Sequence, residues 1–161
     1  MLPDMRRTWM AALGCFALAS AGCGGGDDSK SLTKAEYIAN ADAICAQLDR
    51  ATKKYEEQGD ALPRDAEVKD FAPAMKGTLA ESAKSDARLR ELPRPDADKS
   101  TLDRFFMLRA QAARVGNQAA QAAAVNDLKA FEKLIADNSQ LGPEQTKLAK
   151  RYGFKQCAPG D

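Results

Sequence analysis

The feature that most constrains the fold is a helical spacing of apolar residues, which continues through most of positions 33–157. In four successive stretches the apolar side chains recur every three or four residues, and this spacing places them along one face of an α-helix. Proline and glycine are few beyond the N-terminal region, and the alternation typical of strands is not found. The sequence therefore predicts an all-α domain.

The starts of the predicted helices carry capping signals. Thr33 and Glu36 form the pattern of a capping box ahead of the first helix. Asp65 is a candidate cap for the second helix, and either Asp96 or Asp98 begins the third. Val125-Asn126-Asp127 predicts a tight turn from the third helix into the fourth.

Two prolines, Pro73 and Pro143, fall inside the second and fourth predicted helices. Proline removes one backbone donor, so we expect a kink at each, although the second helix could instead begin again near Pro73. Short connections between four amphipathic helices predict an up-down-up-down four-helix bundle. In that arrangement the first and fourth helices are antiparallel neighbours.

The third predicted helix has a face made mostly of alanine from position 110 to position 124. Small side chains allow a neighbouring helix to approach closely, and they can also leave space for a ligand. Ala112, Gly116 and Ala119 are the candidate ligand-lining residues on this face.

Composition argues against several chemistries. Histidine is absent from the 161 residues, which removes the commonest general base and the commonest metal ligand. Lys and Arg total 24 and Asp and Glu total 23, so no strong field favours nucleic acid. The acidic residues lack the spacing of a calcium loop. The sequence predicts no enzyme, no metal, no cofactor and no nucleic-acid partner.

Residues 1–22 have the three parts of a secretory signal peptide. Arg6 and Arg7 supply positive charge, positions 8–19 are apolar, and positions 20–22 are small. A transmembrane helix is the alternative, although a span needs about 20 apolar residues. The apolar run ends earlier, at the glycines and aspartates of positions 24–28.

The segment Ala19-Ser20-Ala21-Gly22-Cys23 resembles the lipobox of bacterial lipoproteins. The resemblance implies that Cys23 receives a diacylglyceryl group and becomes the first residue of the mature protein. The protein would then be anchored on the extracytoplasmic face of the bacterial cell membrane. Ser20 departs from the family pattern, which prefers leucine there. A competing lipobox ends at Cys15.

Lipidation at Cys23 and removal of Cys15 would leave Cys45 and Cys157. Disulfides persist outside the cytoplasm. A bridge between these two residues would close a loop of about 112 residues, worth on the order of 4–5 kcal/mol in the chain-entropy model. Two unpaired buried thiols are the alternative. Two cysteines without histidine cannot complete a tetrahedral metal site.

Three further segments resemble a family of small uncharacterised lipoproteins from actinobacteria. They are GGGDDSK at 24–30, LTKAEYI at 32–38 with ADAIC at 41–45, and YGFKQC at 152–157. The resemblance implies a secreted helical domain and supports the pairing of Cys45 with Cys157. It implies no activity.

These inferences divide the chain into a signal peptide (1–22), a flexible tether (23–32), a bundle domain (33–157) and a short tail (158–161). We expect a lipid-anchored module with a binding or structural role in the cell envelope, whose partners are the membrane, envelope proteins or cell-wall polymer. The alternative is a tethered carrier of a small ligand. A cavity past the alanine-rich face would favour the carrier, and a filled core with an exposed apolar patch would favour the module.

Overall fold

The computed structural model describes residues 31–158, and within that range the chain forms four long α-helices. They are α1 (Lys34–Asp60), α2 (Val68–Glu91), α3 (Lys99–Ala124) and α4 (Leu128–Tyr152), with a 3₁₀ turn at Asp96–Asp98. No strand occurs in the described range. The predicted all-α four-helix fold is confirmed.

The start of α1 carries the predicted capping box. The Glu36 N–H donates to Oγ1 of Thr33 at 3.3 Å, and the Thr33 N–H donates to the Glu36 carboxylate at 2.9 Å. Leu32, just before the cap, packs against the buried core that contains Tyr37, as in a hydrophobic staple. Together these contacts fix the direction of α1 where the chain enters the domain.

The start of α2 differs from the prediction. Its cap is Glu67, not Asp65, and the Glu67 N–H donates to Oδ2 of Asp70 at 2.9 Å. The sequence suggested that a carboxylate ahead of the helix would accept a free backbone amide. The prediction was wrong because the carboxylate that accepts the amide belongs to Asp70, inside the first turn. Pro73 lies inside a continuous α2, so the helix does not begin again there.

The turn between α3 and α4 is tight and is fixed by two side chains. Asn126 has a left-handed φ of 58°, and Oδ1 of Asp127 accepts the Ala130 N–H at 3.0 Å to cap α4. Oδ1 of Asn126 accepts the Lys69 N–H at 3.3 Å, which joins this turn to the start of α2. From there α4 continues through Pro143 as a single helix.

Each helix packs against its neighbour in the chain: α1 against α2, α2 against α3, and α3 against α4. As predicted for the bundle, α1 and α4 are neighbours, with the Tyr37 ring centre 6.2 Å from that of Tyr152, but among the described residues they share no interface comparable with these three. The α1 side chains that face the space beside α4 include Asp49, Lys53 and Glu56, which are charged and do not form an apolar seam. The two helices meet at one end only, which we call the closed end: the first turns of α1 with residues 149–157.

An aromatic cluster fills the closed end. The ring centre of Phe154 lies 4.8 Å from that of Tyr152 and 5.1 Å from that of Phe105, and Tyr37 completes the cluster. The Tyr152 hydroxyl donates to Oδ2 of Asp98 at 3.0 Å. Burial, ahead of this hydrogen bond, raises the pKa of Tyr152, and burial also raises the pKa of Tyr37. Both phenols therefore stay protonated over an extended pH range.

Candidate functional site

A disulfide joins Cys45 of α1 to Cys157 of the C-terminal tail. The two Cα atoms lie 5.2 Å apart, the residues are separated by 112 positions, and both side chains are buried. The predicted pairing is confirmed. The bond ties the tail to α1 at the closed end.

The carboxylate of Asp42 holds the backbone of the same tail. It accepts hydrogen bonds from the N–H groups of Lys155, Gln156 and Cys157 at 2.9 to 3.1 Å. Successive amides that converge on one anion form the kind of concavity known as a nest. No role was predicted for Asp42. The available signal was its position three residues before Cys45, on the same face of a helix.

A glycine turn directs the chain from α4 into the tail. Gly153 has a φ of 111°, a conformation that favours glycine. The Gly153 N–H donates to the Lys150 carbonyl and the Phe154 N–H to the Ala149 carbonyl, both at 3.1 Å. These are the paired bonds of a Schellman motif. The turn places Phe154 in the aromatic cluster and starts the tail towards α1.

A groove separates α1 from α4 beyond the closed end, with α2 and α3 as its floor. It has a volume of about 790 Å³, and its closed-end boundary includes the disulfide and residues 155–158. The floor side chains include Leu79 and Ser82 from α2 and Ala113 from α3. Because α1 and α4 do not pack together, the floor is open to a ligand along the gap between them.

A second cavity, of about 470 Å³, extends the groove to the opposite end of the helices, which we call the open end. It shares Leu79 with the groove, and Phe71, Met75 and Ile135 add apolar side chains to its lining. The combined space therefore becomes more apolar with distance from the disulfide.

Two of the three candidate ligand-lining residues, Ala112 and Gly116, line the groove. Ala119 lines neither cavity because it is fully buried between the helices. A Cβ atom at Gly116 would lie 2.9 Å from Cδ2 of Leu79, so glycine is what allows this side chain to rest against α3. The alanine-rich face thus serves helix packing at Ala119 and leaves space at Ala112 and Gly116.

A mostly buried ion pair lies beside the floor. Nε of Arg109 donates to Oδ1 of Asp86 at 2.6 Å, and Nη2 lies 2.5 Å from the same oxygen. The Arg109 guanidinium also lies over the Phe105 ring, 5.6 Å from its centre. Either charge alone would be unfavourable in this mostly buried position, and the ion pair neutralises both. The pair also joins α2 to α3 under the groove.

The wall of the groove formed by α4 carries two side-chain amides. Gln145 is only 9% exposed and lines the groove. Oδ1 of Asn138, which lies in both cavity linings, is buried and has no partner within residues 31–158. A buried acceptor left unpaired costs about 1–3 kcal/mol. Sequence reasoning gave no role to either residue.

No group of three or more Cys, Asp or Glu side chains among residues 31–158 could hold a metal ion. None of the four helices is long and apolar enough to cross a membrane. The predicted signal peptide, the lipidation site at Cys23 and most of the tether lie outside the described residues, as do positions 159–161.

No family model, curated protein or solved structure matches this chain. The likeness of its ends to bacterial lipoproteins therefore stays a prediction. The groove and the two amides on its wall are the features of the described residues that suit ligand binding.

Proposed function

We propose that this protein is a lipid-anchored, extracytoplasmic binding protein that carries a small elongated ligand in the groove between α1 and α4. The observation that carries the proposal is the open groove past Ala112 and Gly116. Of the two functions that the sequence suggested, a cavity at this position favours the carrier.

The size and shape of the groove suit such a ligand. Small-molecule sites have volumes of roughly 300–1,000 Å³ and combine an apolar lining with a few polar groups. The groove has about 790 Å³, with Leu79 and Ala113 on its floor and Gln145 on its wall. From Cys45 to Glu56 it follows α1 for 11 residues, or about 16 Å at the rise of an α-helix.

The extracytoplasmic location is supported by two independent features. The signal-peptide and lipobox patterns end at Cys23. The Cys45–Cys157 disulfide belongs to a kind of bond that persists in oxidising compartments. We propose that Cys23 carries the diacylglyceryl anchor and that the bundle domain lies outside the membrane.

The interaction module remains a second candidate because apolar side chains are exposed at the open end. Phe71 is 36% exposed, Ile135 is 42% exposed and Leu128 is 56% exposed. An envelope protein could cover these side chains. For either role we propose binding and not catalysis, since Asp86 and Arg109 neutralise each other in an ion pair beside the groove.

The carrier is tested by filling the groove. Ala112→Trp places a large ring in it, whereas Ala110→Trp adds the same ring at an exposed position of the same helix. Titration of the purified protein with the neutral apolar dye Nile red should show binding by the native protein and by Ala110→Trp, and at least a tenfold loss in Ala112→Trp. Equal binding by all three proteins would refute the carrier.

The anchor has its own test. Cys23→Ala should move the protein from the membrane fraction to the soluble fraction of the producing cell. Retention of the variant in membranes would exclude lipidation at Cys23 as the anchor.

A further inference from the structure

The two side-chain amides lie in register along one wall of the groove. Asn138 and Gln145 are seven residues apart on α4, which is two helical turns and about 10.5 Å along the helix axis. Both line the 790 Å³ groove. The spacing places both side chains on the same side of α4, towards the same ligand.

Each carboxamide offers a carbonyl acceptor and an N–H₂ donor, and its natural complement is a group that carries a donor and an acceptor side by side. Gln145 is nine-tenths buried at the groove. Oδ1 of Asn138 is buried and has no partner within residues 31–158. These side chains, and not the small residues of the floor, indicate that the ligand is polar along one edge.

The balance of charges around the groove does not favour a charged ligand. Acidic and basic side chains are equal in number among its lining residues: Asp49, Glu56 and Asp86 against Lys53, Arg109 and Lys155. A phosphate or carboxylate ligand would be favoured by an excess of positive charge, which this lining lacks. No aromatic side chain lines the 790 Å³ groove among the described residues, so a stacked sugar is not favoured.

We propose that the ligand is a short, uncharged peptide segment in an extended, polyproline-II-like conformation, bound along α4 through its backbone amides. This inference rests on the proposed carrier function and names the ligand class. Peptide groups three residues apart in that conformation lie on the same side of the chain and about 9.3 Å apart. The spacing of about 9.3 Å is close to the spacing of about 10.5 Å between Asn138 and Gln145 along α4, and the side chains of these two residues are long enough to close the difference.

The conformation also leaves the ligand backbone free to be recognised. A polyproline-II chain has no internal hydrogen bonds, so each of its peptide groups can pair with a protein amide. About five residues at 3.1 Å each extend along the 16 Å of the groove. The side chains on the opposite edge contact Leu79, Ala112 and Gly116 on the floor.

The test uses two sets of probes against the full mature protein. The first is a mixture of N-acetylated, C-amidated pentapeptides built from Ala, Leu, Ser, Thr and Gln. The second has the same side chains with methylated backbone nitrogens, which removes the N–H donors and keeps the carbonyl acceptors. Retained peptides are identified by mass spectrometry, and their dissociation constants are measured by calorimetry.

We expect the native protein to bind members of the first set and to bind their methylated counterparts at least tenfold more weakly. Gln145→Met should lower the affinity at least tenfold, because methionine has a similar length and no amide. Gln140→Met is the matched control, since Gln140 is an exposed residue of the same helix, and it should bind as the native protein does. The methylated series tests the inference in the native protein even if Gln145→Met does not fold.

Three outcomes overturn the inference: no peptide binds, methylated peptides bind equally well, or Gln145→Met binds as the native protein does. Failure of the peptide class is distinguishable from failure of the carrier. If Nile red binding is still lost in Ala112→Trp, the carrier function stands and only the ligand class is wrong.

Discussion

Replacement of Asp42 by asparagine tests how the tail is held at the closed end. The Asp42 carboxylate accepts three backbone N–H groups, from Lys155, Gln156 and Cys157, across more than 100 residues of sequence. Asparagine keeps the shape of the side chain and one acceptor oxygen but loses the charge. The variant therefore measures what the charge contributes to the tail contacts.

The expected effect is a loss of about 1–2 kcal/mol in the free energy of unfolding. Hydrogen bonds to a charged group contribute about 1.5–3 kcal/mol and neutral ones about 0.5–1.5 kcal/mol, a difference of about 1 kcal/mol for each bond. Three bonds give an upper value of about 3 kcal/mol by this measure. Lys155 and Gln156 are exposed, so water replaces part of what their amides lose.

Urea unfolding followed by far-UV circular dichroism measures the loss, under oxidising conditions that keep the disulfide intact. Asp49→Asn, an exposed position on the same helix, is the matched control and should change stability by less than about 0.5 kcal/mol. Hydrogen exchange should also accelerate at the amides of residues 155–157. An Asp42→Asn variant as stable as the native protein, with unchanged exchange, would refute the anchoring role.

Three other predictions concern stability. Because burial and the Asp98 hydrogen bond raise the pKa of Tyr152, the folded state keeps a proton that the unfolded state loses above about pH 10. Stability should therefore be constant just below that pH and fall as the pH rises through it, and a flat profile in thermal unfolding would contradict this. Gly77→Ala should cost about 1–3 kcal/mol, because its Cβ would lie 2.2 Å from the Tyr55 ring. At Gly59 an added Cβ would have nothing within 4 Å, so Gly59→Ala should instead raise the free energy of unfolding by about 0.5–1 kcal/mol. Equal effects of the two substitutions in urea unfolding would contradict the clash at Gly77. Reduction of the disulfide should lower the free energy of unfolding by about 4–5 kcal/mol and leave the helical signal unchanged below the transition, and a shift below about 1 kcal/mol would contradict the loop-entropy estimate.

The helices were predictable because the signals that specify them are local. A capping box at Thr33 and Glu36 and a tight turn at Asn126 and Asp127 act within a few residues, and both lie where the sequence placed them. The disulfide was predictable for another reason. Once Cys23 is assigned to lipid and Cys15 to the signal peptide, only one pair is left, and the structure contains that pair.

The groove was not predictable in the same way, because it depends on the distance between two helices that are far apart in sequence. Asp49, Lys53 and Glu56 recur at helical spacing on α1. In a sequence such a row has the same pattern whether it faces bulk water or lines a groove. Asn138 and Gln145 are similar: polar residues on an amphipathic helix suggest a solvated face, and only the packing of α4 shows that they are enclosed.

The two ends of the domain differ in their relation to the proposed anchor. The predicted tether enters at Thr33, beside the aromatic cluster, the disulfide and the Asp42 contacts. The 27 residues of α1 extend about 40 Å from there towards the open end, at 1.5 Å for each residue. Anchoring through Cys23, if it occurs as proposed, would therefore attach the domain to the membrane at the closed end. The open end, with Phe71 and Ile135, would then be able to lie far from the bilayer. A ligand that entered there would come from the envelope space and not from the lipid surface. This agrees with an uncharged peptide better than with a lipid acyl chain.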